Sequence, residues 1–234
     1  MIRGIYTSAS GMLARELAQE VLANNIANVK TTGFKRDKVY FQGALDGISS
    51  AEGVLKVATD YREGPLIRTD NPLDLAIQGR GFFAVETPWG IRYTRDGHFS
   101  VNEEGVLVTT DGHPVLGEEG SIELDLSGGP PSVGEDGTVR VGDVVVGQLR
   151  IEDFEDLDSL KKEGNGLFRA YAEGRPAEGF RVRQGFLEGA NVSPVEEMVR
   201  MLANYRAYEA GQRAIVAQDE ALRKAVNEVG RYRG

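Results

Sequence analysis

After Pro194 no proline interrupts the chain as far as about Arg231, and the signals that open this stretch are those of a long helix. Ser193 is a good N-cap, Pro194 suits the first helical position, and Glu196 completes a capping box. Met198, Leu202, Tyr205, Tyr208, Ile215, Leu222, Val226 and Val229 form an apolar stripe, interrupted by Gln212 and Asp219. At the rise of an α-helix such a segment is on the order of 55 Å long. The opposite end of the chain is helical too. Tyr6, Leu13, Leu17, Val21 and Asn24 recur at helical steps from position 2 to about 28, and Thr31-Thr32-Gly33 stops the run.

Between these ends the period changes. Phe82-Phe83-Ala84-Val85, Ile91-Arg92-Tyr93-Thr94, Phe99-Ser100-Val101, Val106-Leu107-Val108-Thr109 and Val144-Val145-Val146 are β-branched or aromatic pieces. Pro88-Trp89-Gly90, Asp96-Gly97, Asp111-Gly112 and Asp136-Gly137 separate them as turns. The fold expected is a mainly β, hairpin-rich domain over 76–190. Residues 1–35 and 191–234 form a discontinuous helical domain, and 36–75 is a connecting segment.

A lone amphipathic helix is marginal in water because its apolar face has no partner. The economical arrangement packs the two terminal helices on each other and on the same helices of neighbouring copies. A monomer whose helices pair beside the β domain satisfies the pattern as well. Asn24, Asn25 and Asn28 favour a specified multi-helix contact, because Asn is a poor helix former and polar seam residues set register. The expected assembly surface is therefore Leu13, Leu17, Val21, Asn24, Asn25, Asn28, Met198, Leu202, Tyr205, Tyr208, Ile215 and Leu222.

Charge narrows the partners. The net charge is −9, with six Lys/Arg against three Asp/Glu in 1–40 and seven against six in 191–234, so the acidity lies in the middle. An acidic middle is a poor match for nucleic acid. No window approaches the run of about 18 apolar residues that inserts into lipid. The N-terminus lacks the apolar core of a cleaved signal peptide, and the chain has no cysteine.

Chemical motifs are weak. Gly79-Arg80-Gly81-Phe82-Phe83-Ala84 matches a dinucleotide fingerprint by letter, but a strand rather than a helix is expected after it. No cofactor or small-molecule substrate follows from it. His98 and His113, the two histidines, lack metal-ligand spacing. Asp70, Asp74, Glu86 and Asp96 fall near turns and could supply a glycosidase pair, yet nothing places a nucleophile beside a base. Asn191-Val192-Ser193 reads as a sequon, but its Ser is explained as a cap. The expectation is a non-enzyme with no metal or cofactor. The alternative is a β-rich carbohydrate- or protein-binding module with a helical clasp, using Trp89, Tyr93 and Phe99.

Longer strings carry a resemblance. Ser8-Ala9-Ser10-Gly11-Met12 is followed by Ala23-Asn24-Asn25-Ile26-Ala27-Asn28 and Thr32-Gly33-Phe34-Lys35. Later come Gly64-Pro65-Leu66, Asn71-Pro72-Leu73-Asp74, Tyr93-Thr94-Arg95-Asp96-Gly97-His98-Phe99, and Gln184-Gly185-Phe186-Leu187-Glu188-Gly189-Ala190-Asn191-Val192. In these strings, and in their order, the chain resembles the bacterial flagellar rod and hook protein family. Ala190 departs from the Ser often found there. The resemblance implies an axial subunit whose terminal helices pair as a coiled coil lining an inner tube, with the β domain outside. It also implies partners among the rod and hook proteins, transmission of torque from motor to hook, a place in the basal body across the periplasmic space, and type III export without a cleaved signal peptide. The length resembles a proximal or distal rod subunit rather than the longer hook protein.

Overall fold

The computed structural model of the 234-residue chain describes residues 2–42, 54–125 and 128–231. It divides into a helical unit (1–27, 37–60 and 193–234) and a β unit (28–36 and 61–192).

The helical unit holds helix α1 (Ile2–Ala27), an antiparallel ribbon of Asp37–Gln42 with Val54–Thr59, and helix α2 (Pro194–Arg231). α2 begins at the expected cap: Glu196 N donates to Ser193 Oγ at 3.5 Å and Glu197 N to Ser193 O at 3.0 Å. α1 and α2 pack antiparallel. Asn25 meets Glu197, Arg15 and Gln19 meet Asn204, and Met12 lies nearest Gly211.

The β unit is antiparallel throughout its pairings. Its largest sheet has the strand order Leu160–Gly164, Leu167–Ala170, Gly90–Thr94, Phe82–Thr87, Ile151–Asp153, Arg175–Pro176. A three-stranded meander covers Pro131–Val133, Thr138–Val141 and Val144–Gln148. Two further pairings tie early and late segments together: Leu66–Arg68 with Phe186–Glu188, and Leu75–Gln78 with Arg181–Gln184. The segment expected as a connector, 36–75, thus carries strands, and residues 28–36 belong with the β unit. Exposed or charged positions at 56, 66 and 68 hid these strands, and the partner of Leu66–Arg68 lies far along the chain.

Fourteen apolar side chains, among them Leu75, Phe83, Val115, Leu149 and Val182, form the main core of the β unit. A second cluster is aromatic. The rings of Tyr93 and Phe154 stand edge to face at 4.8 Å, and those of Phe82 and Phe168 at 5.6 Å, a geometry that adds to the gain from area burial.

Candidate functional site

One face of α2 lies against α1 at positions 197, 201, 204, 208, 211, 215, 218 and 222, each buried or half-buried. The steps alternate between four and three, which is the spacing of a two-helix seam. Met201, Tyr208, Ile215 and Leu222 alternate with Glu197, Asn204, Gly211 and Gln218. Asn204 Nδ2 donates to Arg15 O at 2.8 Å and to Gln19 Oε1 at 2.9 Å. Its Oδ1 and the Oε1 of Gln218 are buried without a hydrogen-bond partner, a state that costs about 1–3 kcal/mol per group. Glu197, 1% exposed, accepts from Asn25 Nδ2 at 3.3 Å and Arg200 at 3.4 Å. At Gly211 an added Cβ would lie 3.1 Å from Met12 Cγ, so the missing side chain lets the helices approach.

The other face of α2 carries a second apolar row. Val195, Met198, Val199, Leu202, Tyr205 and Val216 are each more than half exposed, and so is Leu13 of α1. The single stripe expected from the sequence is therefore two. Met198, Leu202 and Tyr205 lie on the outer row, whereas Tyr208, Ile215 and Leu222 lie in the seam. Leu17 and Val21 are half-buried. The side chains of Tyr6, Val226 and Val229 lie outside the described residues.

The asparagines divide as well. Asn25, expected to reach a neighbouring copy, is wholly buried inside its own. Its Nδ2 donates to Asp37 O at 2.9 Å, and its Oδ1 accepts from Asp37 N at 2.9 Å, pinning the ribbon to α1. Asn24 is exposed on α1. Asn28 belongs to the β unit, where its Oδ1 accepts from Thr31 Oγ1 at 3.3 Å.

The signature strings converge inside the β unit. Glu188, 1% exposed, accepts from Lys35 Nζ at 2.5 Å, Arg95 Nη1 at 3.2 Å and Gly64 N at 2.8 Å. Arg95 also donates to Ile77 O and Gly79 O, and Lys35 to Arg62 O. Burial lowers the pKa of both Lys35 and Arg95, and the Glu188 carboxylate works against that shift. Four separate segments thus meet at one carboxylate. Gly33 sits at φ +67°, and a Cβ there would lie 2.3 Å from Asp96 N; a Cβ on Gly97 would lie 1.6 Å from Leu75 O. Thr32 Oγ1 donates to Asp96 Oδ1 at 2.6 Å, while burial raises the Asp96 pKa. Ala190 is buried beside Phe34 and Val192, an apolar site for the methyl that replaces a hydroxyl. Lone letters such as Lys35 or Glu188 give no hint of this cluster; only their membership of the strings does.

The remaining candidates sit in ordinary surroundings. Gly81 leads directly into the strand Phe82–Thr87, as expected, and no helix follows it. His98 Nδ1 lies 3.0 Å from the buried Asp74 carboxylate, which also accepts from Asn71 Nδ2 at 3.0 Å. Asp70 pairs with Arg68 on the surface, and Glu86 is exposed. Of the aromatics considered for ligand contact, Tyr93 and Phe99 are core residues and only Trp89 is exposed. Tyr93 is spent on Glu152, to which its hydroxyl donates at 2.7 Å.

Residues 5–35 match the family model "Flagella basal body rod protein", 76–141 "Flagellar hook protein FlgE/F/G D1 domain", and 183–228 "Flagellar basal body rod FlgEFG protein C-terminal". The chain is 37% identical over 243 residues to flagellar basal-body rod protein FlgF of Caulobacter vibrioides, covering 99% of each. It is 37% identical over 213 residues to FlgF of Mesorhizobium japonicum, covering 88% of each. It is 32% identical over 263 residues to flagellar basal-body rod protein FlgG of Bacillus subtilis, covering 97% of this chain and 99% of the relative.

Proposed function

This chain belongs to the flagellar basal-body rod protein family and is a structural subunit of the rod, and from that premise we propose that copies assemble through the outer apolar row of α2. One observation carries the reading: among the described residues, Ala14 is the one apolar side chain of the helical unit that is fully buried, while six on α2 stand more than half exposed. Burying a Leu- or Val-sized side chain is worth about 1.5–3 kcal/mol, so association of several such rows offers what the isolated helix pair lacks. The seam between α1 and α2, at its alternating steps of four and three, fits a short antiparallel coiled coil. Bundled in this way the helices form a tube, which suits a part that carries torque from motor to hook.

Other flagellar axial proteins of the same construction are the partners at either end of the stack. The subunit belongs in a rod that crosses the periplasmic space. The family is a structural one, and the carbohydrate-binding alternative loses two of its three contacts to the core.

The test is the double substitution Leu202→Asp, Tyr205→Asp. Both side chains are about half exposed in the single subunit, so its circular dichroism and melting stay close to those of the parent. Polymer seen by electron microscopy and sedimentation is lost. Polymerisation at the parental concentration by this variant would refute the reading.

A further inference from the structure

The β unit carries two exposed apolar patches of opposite charge on different hairpins. The first surrounds Trp89, at the turn between Phe82–Thr87 and Gly90–Thr94, and is 75% exposed. Ile91 and Tyr171 extend it, at 39% and 66%. Its ionic residues are Arg92, Lys161 and Arg169 against Glu163 and Glu86, the last standing opposite Ile91. Arg92 Nε lies 2.5 Å from Glu163, Arg169 lies 3.6 Å from Glu163 and stacks on the Tyr171 ring, and Lys161 stands opposite Arg169 on the neighbouring strand. The patch is basic overall, in an acidic unit.

The second patch is the edge strand Val144–Gln148 of the meander, with Val144 and Val145 more than half exposed. Glu118, Glu119 and Glu123 line the groove beside Val145, and Asp143 precedes the strand. Arg140 is the cation across the strand from Val145. A strand at the end of its sheet with exposed valines invites pairing.

We propose that the Trp89 patch of one copy docks against the Val144–Val145 edge of the next. This rests on the rod reading and adds a second contact, between β units, to it. The charge argument selects the occupant: a basic aromatic knob meets an acidic apolar edge, and both are present on every copy. The contact joins two different surfaces, so it is heterologous, and a heterologous contact that does not close on itself generates an open helical array rather than a dimer. Exposed Trp with flanking Arg is also the residue pairing that most often dominates an interface.

Two properties of the chain make the test direct. Trp89 is its single tryptophan, and it has no cysteine. On polymerisation of the full chain, Trp89 emission shifts to the blue and acrylamide quenching falls. Tyr171→Cys and Val144→Cys chains, mixed and treated with a short bis-maleimide, cross-link to each other, and the double variant gives a ladder of dimers, trimers and longer species. Tyr171→Cys alone gives no cross-linked dimer. A polymer in which Trp89 stays solvent-exposed, or in which Tyr171→Cys links to itself, overturns this contact and leaves the helical one standing. A full chain that forms no polymer at all overturns the proposed function, and this contact with it.

Discussion

In the β unit, apolar side chains close around one another and its buried charges are matched, as at Glu188 with Lys35 and Arg95. In the helical unit the fully buried side chains among the described residues are, besides Ala14, the polar Asn25, Glu197 and Asn204; the larger apolar ones are half-buried in the seam, as Met201, Tyr208, Ile215 and Leu222 are, or stand exposed on the outer row. The β unit has a core of the kind that supports independent folding. The helical unit has a seam of alternating polar and apolar residues and an outer row of exposed apolar ones. On the proposed assembly through the outer row, this division suits a rod subunit, because hydrophobic association would supply stability at the moment of assembly rather than before it.

Substitutions set the two units against each other. The largest effect is expected at Glu188→Ala, which leaves Lys35 and Arg95 buried without their counter-charge. Loss of one partner of a buried pair costs about 3–5 kcal/mol, so urea unfolding of the β unit, read by near-UV circular dichroism of its packed aromatic rings, moves to markedly lower denaturant. A midpoint within error of the parent would break the claim that this carboxylate holds the segments together.

Phe83→Ala empties a wholly buried site in the main core and costs about 3–5 kcal/mol, or less if the core collapses around the cavity. The matching substitution in the other unit, Leu202→Ala on the exposed row, is expected to change monomer stability by less than about 0.5 kcal/mol. Equal losses at the two sites would erase the contrast.

Asn204→Leu removes the unpaired Oδ1 and with it two hydrogen bonds to α1. The monomer is expected to change by about 1 kcal/mol or less, since replacing polar seam residues by apolar ones is often neutral or stabilising. What changes is fidelity: the helix pair slips register, seen as heterogeneous polymer diameters under the microscope. Uniform polymers from this variant would remove register-setting from the account.

The smallest effect is a pH slope. Burial raises the folded-state pKa of Asp96 above its ordinary 3.8. The folded state therefore holds the proton more tightly than the unfolded chain. The associated stability is present below pH 3.8 and is lost as pH rises through the raised value. Asp96→Asn is expected to abolish that slope in thermal melts between pH 4 and neutrality, and an unchanged slope would place the titration elsewhere.

Much of the architecture is legible in local chemistry. The cap Ser193-Pro194-Glu196 marks a helix because it answers a need of the helix end itself, and Asp111-Gly112 or Asp136-Gly137 mark turns because few residues accept the positive φ of their glycines. The strings shared with flagellar rod proteins fixed the family for the same reason: their glycines and charges are demanded by close backbone approach and a buried carboxylate. Which of two rows on α2 faces α1 was not legible. Helical spacing shows that a residue lies on a face, but the choice between neighbouring faces depends on a partner helix some 180 positions away in the chain. Asn25 and Asn204 illustrate it: the sequence made them polar residues on a helix, and only packing decided that one grips the ribbon at Asp37 and the other grips α1.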